Sequence, residues 1–138
     1  MQVLCFGTFD LFHEGHSFFL KKASEYGFVT VVIARDSTVL NVKKRISIKS
    51  QSQRLLAVVQ NPYVQRAVLG NTGDKYKIIE DVNPDLILLG YDQTHFTDNL
   101  KDALVKRKLG VKVVRLNKSF HPEIFKSSFL REKEHLKQ

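Results

Sequence analysis

Residues 2–34, QVLCFGTFDLFHEGHSFFLKKASEYGFVTVVIA, decide the fold of this chain. They open with a short apolar run, Gln2 to Phe6, and close with a second one, Val29 to Ala34, that is rich in β-branched residues. Both runs are typical of buried strands. Between them, His16 to Tyr26 has the pattern of a helix that stops at Gly27. The stretch therefore predicts a βαβ unit, in which a helix connects two parallel strands.

The same alternation continues along the rest of the chain. Further helices are predicted at residues 50–60, 74–81, 97–109 and 127–136, and further strands at residues 64–69, 85–89 and 111–115. Continuously apolar strands require helices on both faces of a parallel sheet. We therefore predict an α/β fold in which residues 1–138 form a single doubly wound, Rossmann-like domain around a five-stranded parallel sheet. Ligands of such folds bind at the carboxyl ends of the strands.

The charged residues indicate an anionic partner. The chain of 138 residues carries 22 Lys+Arg and 14 Asp+Glu, which gives a formal net charge of +8. The excess lies in residues 101–138, with 11 basic and 4 acidic side chains. This asymmetry fits the phosphates of a small molecule, a nucleic acid or the acidic face of another subunit, or else an ordinary solvated helix face. Nucleic acid is disfavoured, because the sequence contains none of the recognised nucleic-acid-binding motifs.

Cysteine usage and hydropathy predict a cytoplasmic protein. Cys5 is the only cysteine, which excludes an intramolecular disulfide and fits a reducing compartment. Within an apolar run, it is expected to be a small buried hydrophobic residue. No apolar run approaches the roughly 20 residues that span a bilayer, and Met1 leads into a strand without a basic region. We therefore expect no membrane partner.

The turn between the first strand and the first helix, residues 7–16, is the chemically richest stretch. Gly7 permits a tight turn, Gly15 lets a ligand approach the main chain, and the N-terminus of the following helix favours an anion. His13 and His16 stand three residues apart, so both rings can donate to one phosphate group from a helical turn. The stretch predicts a phosphate site. It matches neither GxGxxG nor GxxxxGK[ST], which argues against a dinucleotide dehydrogenase and a P-loop kinase.

Two other interpretations of the histidines remain at this point. A zinc site would need a third ligand, such as His95, Asp92 or Asp10. Alternatively, the two rings only satisfy the start of the helix, in which case the neighbouring glycines and threonine have no explanation.

Residues 7–16, GTFDLFHEGH, resemble the GTFDxxHxGH signature of the cytidylyltransferase-like nucleotidyltransferases. Residues 53–54, 89–92 and 127–131 also match landmarks of that family, so the resemblance covers nearly the whole chain. It implies a fold of the HxGH nucleotidyltransferase type. It also implies an enzyme that transfers the nucleotide of a triphosphate to a phosphate-bearing acceptor and releases pyrophosphate, and it suggests a homodimer.

For the nucleotide, the resemblance implies that His13 and His16 are catalytic donors to the α- and β-phosphates. Thr8 and Phe9 would contact the nucleotide through the main chain and a hydroxyl, close to Gly15. Four more residues complete the set: Asp92 at the base and ribose, Ser127 and Ser128 at a phosphate, and the catalytic Arg131 at the β- and γ-phosphates.

For the acceptor, the resemblance implies Lys44, Arg54 and Asp10. Lys44 is expected to reach phosphate and to act in catalysis, with Lys43 beside it in the same loop as the alternative. Arg54 would anchor an anion, or else pair with a nearby carboxylate. The expected role of Asp10 includes holding a divalent ion indirectly. Mg²⁺ is expected to arrive mainly with the triphosphate, so no protein metal site is predicted.

Two segments indicate which nucleotidyltransferase this is. Residues 34–39, ARDSTV, and 89–93, LGYDQ, are similar to those of the archaeal-type FAD synthases, which join AMP from ATP to FMN. The chain lacks the cysteine pair that those enzymes often carry before the last helix. One alternative is a CTP-dependent cytidylyltransferase that acts on glycerol 3-phosphate or another polyol or sugar phosphate. Another is a non-catalytic nucleotide-binding or regulatory domain.

Overall fold

A five-stranded parallel sheet lies at the centre of the computed structural model, which describes residues 1–90, 93 and 99–116. The strands are β1 (Gln2–Gly7), β2 (Phe28–Ile33), β3 (Arg66–Leu69), β4 (Leu86–Leu89) and β5 (Lys112–Arg115). The helices are α1 (Glu14–Ser24), α2 (Asp36–Lys43), α3 (Gln51–Val59), α4 (Lys77–Val82) and α5 (Leu100–Lys106). The order across the sheet is β3-β2-β1-β4-β5, and every neighbouring pair is parallel. The predicted α/β fold is therefore confirmed.

Apolar side chains fill both faces of the sheet. One layer joins the sheet to α1 and α3, and includes Val3, Cys5, Leu20, Val31 and Val58. The other joins it to α4 and α5, and includes Leu4, Phe6, Ile79, Ile87 and Leu104. This double burial explains why the central strands are almost continuously apolar rather than apolar at alternate positions. Within the first layer, burial raises the pKa of the Cys5 thiol to about 12, so the residue packs as a small apolar group.

The order of the strands places the binding crevice. The chain proceeds from β1 to β2 and β3 on one side, and then returns to place β4 and β5 on the other side of β1. The direction of winding therefore changes between β1 and β4, and ligands of such sheets bind at the carboxyl ends of the strands flanking that point. The loop that leaves β1 toward α1 starts there.

Several local features differ from the sequence-based expectation; α4, for example, begins at Lys77 rather than at residue 74. Helix α2 was not predicted, because Thr38, Val39 and Val42 are β-branched and its N-cap, Arg35, makes no side-chain capping bond. Lys43 is consequently the last residue of a helix rather than part of an open loop. Helix α1 begins at Glu14, two residues before the expected start. The predicted helix at 127–136 lies outside the described residues.

Within residues 1–90, 93 and 99–116, no helix is both long enough and apolar enough to cross a bilayer.

Candidate active site

The loop between β1 and α1 follows a tightly constrained path. Phe9 and Leu11 both adopt positive φ values, 54° and 51°, which non-glycine residues rarely take. The Phe9 side chain is buried and lies against Gly7, where an added Cβ would come within 2.5 Å of the ring. Gly7 is thus required for close approach of the aromatic ring. Backbone conformations of this kind concentrate at functional sites, where the surrounding structure maintains them.

His13 and His16 form a capping box at the start of α1. The Nδ1 atom of His13 accepts a hydrogen bond from Gly15 N at 3.0 Å, and Nδ1 of His16 accepts one from His13 N at 3.3 Å. Because both Nδ1 atoms act as acceptors, the hydrogen of each neutral imidazole is on Nε2. The main chain therefore fixes two Nε2–H donors at the positive end of a helix, where an anion is favoured.

The two imidazoles pack against each other and against aromatic rings. The centroids of the His13 and His16 rings are 3.8 Å apart, with an interplanar angle of 27°. The His16 ring also contacts Phe9, at a centroid distance of 5.2 Å, and Phe12, at 5.3 Å. This packing restricts the orientation of both rings, so the donors are held in place before any ligand binds.

Burial keeps both histidines neutral. It lowers the pKa of His13 to about 4. It is also the main reason that the pKa of His16 falls to about 3, with smaller contributions from the positive charges of His13 and Lys43. At neutral pH each ring is therefore an uncharged hydrogen-bond donor, and positive charge in the site has to come from lysine and arginine.

Cationic side chains lie at the end of α2. Lys43 is the final helical residue, and its charge is close enough to His16 to influence the pKa of that ring. Lys44 follows as an exposed residue in the left-handed conformation, with φ 58°. The sequence favoured Lys44 as the phosphate ligand and left Lys43 as the alternative. In the structure the charge of Lys43 is within electrostatic range of His16.

Asp10 and Arg54, the other two predicted acceptor residues, are both buried. The Asp10 carboxylate accepts hydrogen bonds from the main chain of Ile48 and Lys49. The Arg54 guanidinium forms an ion pair with Asp36 at 2.8 Å and donates to three main-chain carbonyls. In this arrangement Arg54 makes the carboxylate pairing that the sequence left as its alternative role.

The carboxyl end of β4 is organised by a residue that sequence reasoning missed. The Gln93 side chain donates to Phe6 O at 3.1 Å and accepts from Gly90 N, which joins the ends of β1 and β4. Arg115, at the end of β5, donates to the carbonyls of Gly90 and Gln93. The only available signal was the position of these residues just after strands or at strand ends.

The profile of the Cytidylyltransferase-like family matches residues 4–133, nearly the whole chain. This protein belongs to the cytidylyltransferase-like family. The membership confirms the family that the GTFDLFHEGH stretch predicted.

Named relatives of this cytidylyltransferase-like protein include two archaeal FAD synthases. The FAD synthase of Methanobrevibacter ruminantium is 41% identical over 120 residues, which cover 84% of this chain and 79% of that protein. The FAD synthase of Thermoplasma volcanium is 38% identical over 134 residues, which cover 96% of this chain and 93% of that protein. A crystal structure described as the lipopolysaccharide core biosynthesis protein from Thermoplasma volcanium has a TM-score of 0.79 and 39% identity, and covers 86% of this chain and 97% of that one.

The HxGH segment of this cytidylyltransferase-like chain, His13 to His16, lies at the N-terminus of α1. Four further predicted nucleotide ligands lie outside the described residues: Asp92, Ser127, Ser128 and Arg131. Among the described residues, no three histidine, cysteine or carboxylate side chains come together as a metal site. Two of the suggested third zinc ligands, Asp92 and His95, also fall outside the described part of the chain.

Proposed function

We propose that this cytidylyltransferase-like protein transfers the AMP group of MgATP to the phosphate of FMN, forming FAD and releasing pyrophosphate. The choice of ATP and FMN is supported by the FAD synthases that share 41% and 38% identity with most of the chain. The site observation that supports nucleotidyl transfer is the histidine pair, because both Nδ1 atoms are held by main-chain N–H groups and both Nε2–H donors are therefore fixed.

The reaction makes one bond and breaks another at the α-phosphorus of ATP. An oxygen of the FMN phosphate attacks this phosphorus, while the bond from the phosphorus to the oxygen that bridges it to the β-phosphate breaks. The electron pair leaves with pyrophosphate, and the product contains a new P–O–P link. Because the attacking oxygen is already anionic, no strong base is required. Catalysis depends on alignment of the reactants and on stabilisation of the charge that develops on the phosphoryl oxygens.

The histidine pair suits this requirement. The Nε2–H donors of His13 and His16 serve the α- and β-phosphates, and the positive end of α1, next to the buried Gly15, adds to the same field. Neutral imidazoles transfer no proton in this step. They act as preorganised donors whose orientation is set before the triphosphate arrives.

The remaining contacts complete the proposal. Thr8 and Phe9 offer main-chain groups beside the nucleotide, and Lys43 and Lys44 supply positive charge toward the triphosphate and the FMN phosphate. By family resemblance, Arg131 neutralises the β- and γ-phosphates, Ser127 and Ser128 bind phosphate, and Asp92 contacts the base or ribose. Mg²⁺ enters as part of the substrate MgATP, held mainly by phosphate oxygens. A homodimer, testable by sedimentation, is also proposed from the family resemblance.

The direct test is pyrophosphate release over a matrix of substrates with Mg²⁺. ATP or CTP is combined with FMN, glycerol 3-phosphate, or other polyol and sugar phosphates, and product masses are recorded. A variant with both His13→Ala and His16→Ala serves as the matched blank, because release by a contaminating enzyme would be equal in the two samples. Release with ATP and FMN, absent from the blank, is the expected result. Release only with CTP and a polyol phosphate would replace the acceptor, and no release in any combination would favour a non-catalytic nucleotide-binding domain.

A further inference from the structure

The Arg54 side chain forms hydrogen bonds to four separate segments of the chain near the candidate site. The residue is 1% exposed, and its guanidinium donates to Thr8 O at 2.9 Å, Ala34 O at 2.7 Å and Lys49 O at 3.1 Å. A fourth hydrogen bond, at 2.8 Å, goes to the carboxylate of Asp36. All three guanidinium nitrogens are used. One buried side chain thus joins the loop after β1, the end of β2, the start of α2 and the segment that leads into α3.

Asp10, in the loop between β1 and α1, also bonds to the segment that leads into α3. This residue is fully buried, and its two carboxylate oxygens accept from Ile48 N at 2.8 Å and from Lys49 N at 2.9 Å. The hydroxyl of Ser47 donates to Lys49 O at 2.8 Å and lies 3.3 Å from the Asp36 carboxylate. The main chain of residues 47–49 is therefore bound both by the Asp10 carboxylate and by the Arg54 guanidinium.

This arrangement, which we call the clasp, comprises Asp10, Asp36 and Arg54. It is close in sequence to two groups of proposed ligands, because His13 follows Asp10 by three positions and Ile46 alone separates residues 43–45, Lys-Lys-Arg, from the held segment 47–49. Arg54 is a strong candidate for this task because its planar fork presents five N–H donors in fixed directions, whereas a lysine ammonium is a single point charge.

We propose that Asp10 and Arg54 are positioning residues that hold the cationic segment 43–45 at a fixed place relative to the histidine pair, and that neither contacts the acceptor. This inference rests on the proposed function. A guanidinium with four protein acceptors would have to lose those bonds in order to reach a phosphate, and the Asp36 carboxylate would lose its cationic partner.

The kinetic test is Arg54→Lys, with Arg107→Lys as the matched control. Arg107 also pairs with carboxylates, Asp74 and Glu80, but it joins α4 and α5 instead of the loops of the site. Displacement of a catalytic group by about 1 Å costs on the order of 100-fold in rate. We therefore expect kcat of Arg54→Lys to fall by roughly 10- to 100-fold, with the KM for FMN within about threefold of the wild-type value. Arg107→Lys should retain the wild-type kcat.

An acceptor anchor would behave in the opposite way. Arg54→Lys retains the positive charge, so an anchor would show a raised KM for FMN with kcat largely preserved. That result would overturn the proposal. If Arg54→Lys does not fold, Asp10→Asn provides the second test, because the amide oxygen can replace only one of the two carboxylate acceptors. It should lower kcat by a smaller factor, and again leave the KM for FMN unchanged.

Amide hydrogen exchange tests the clasp without any substrate. The N–H groups of Ile48 and Lys49 should exchange at least about tenfold faster in Asp10→Asn or Arg54→Lys than in wild type, and Arg107→Lys should leave them unchanged. Unchanged exchange in both clasp variants would overturn the inference. If wild-type protein shows no transfer to FMN, only the proposed function fails, and the exchange result still decides whether the clasp holds this segment.

Discussion

Replacement of His16 tests the role assigned to the histidine pair. In His16→Asn, the amide oxygen occupies the position of Nδ1 and can still accept from His13 N, while the donor at Nε2 is lost. In His16→Gln, the longer side chain keeps an N–H group at about the reach of Nε2. Glutamine is also a usual third residue of a helical capping box. The two variants therefore separate the capping bond from the donor.

The expected magnitude follows from what each variant removes. Loss of one preorganised donor typically costs about 100- to 1,000-fold in kcat, or about 2.7–4 kcal/mol. We expect a loss in this range for His16→Asn, and a loss of roughly tenfold for His16→Gln. The His16 ring also packs 3.8 Å from the His13 ring and 5.2 Å from the Phe9 ring, so its removal costs stability as well. A destabilisation of about 1 kcal/mol would lower Tm by roughly 3–5 °C.

The assay is pyrophosphate release at saturating MgATP and FMN, with circular dichroism and Tm recorded on the same samples. Folding must be retained, so that the kinetic loss reflects the missing donor. A folded His16→Asn protein with kcat within about tenfold of wild type would refute the donor role of His16. Equal losses in the two variants would show that packing of the ring, rather than the Nε2–H group, accounts for the effect.

Two further predictions concern the charge of the site. Lys43→Met should lower kcat by about tenfold or more, and Lys44→Met by less, because the charge of Lys43 acts on His16. Equal losses of kcat in parallel kinetic assays would contradict this difference. The pKa values of His13 and His16 are lower in the folded protein, about 4 and about 3, than the ordinary value of 6.5, so unfolding takes up protons below about pH 6.5. The free energy of unfolding should therefore decrease as pH falls toward 4, by up to about 1.4 kcal/mol per pH unit for His16, and urea denaturation should give a shallower pH dependence for His16→Gln.

The sequence was most informative where several local signals agreed. The apolar runs at the start of the chain and the glycine after the first helix gave the β1-α1-β2 unit, and the GTFDLFHEGH stretch gave the family. The histidine spacing predicted a phosphate site, which stays a prediction, and the structure shows in addition that both rings cap α1. Helix α2 was missed because its β-branched residues and uncapped start give a weak helical pattern.

The roles of buried charged residues depend on partners that are distant in the sequence. Arg54 bonds to Thr8, 46 positions away, and Asp10 bonds to Lys49, 39 positions away. The family resemblance suggested that both residues bind the acceptor. Their burial and their hydrogen-bond partners depend on how distant loops pack in the folded chain, which the sequence does not show. The difference between Lys43 and Lys44 likewise depends on where α2 ends.

The most direct measurement of the central claim uses FMN labelled with ¹⁸O in its non-bridging phosphate oxygens, together with MgATP. If the FMN phosphate attacks the α-phosphorus of ATP, mass spectrometry will find FAD that retains all of the label and pyrophosphate that contains none. Label in pyrophosphate, or the absence of an FAD mass under conditions in which the folded enzyme releases pyrophosphate with FMN, would contradict the proposed transfer.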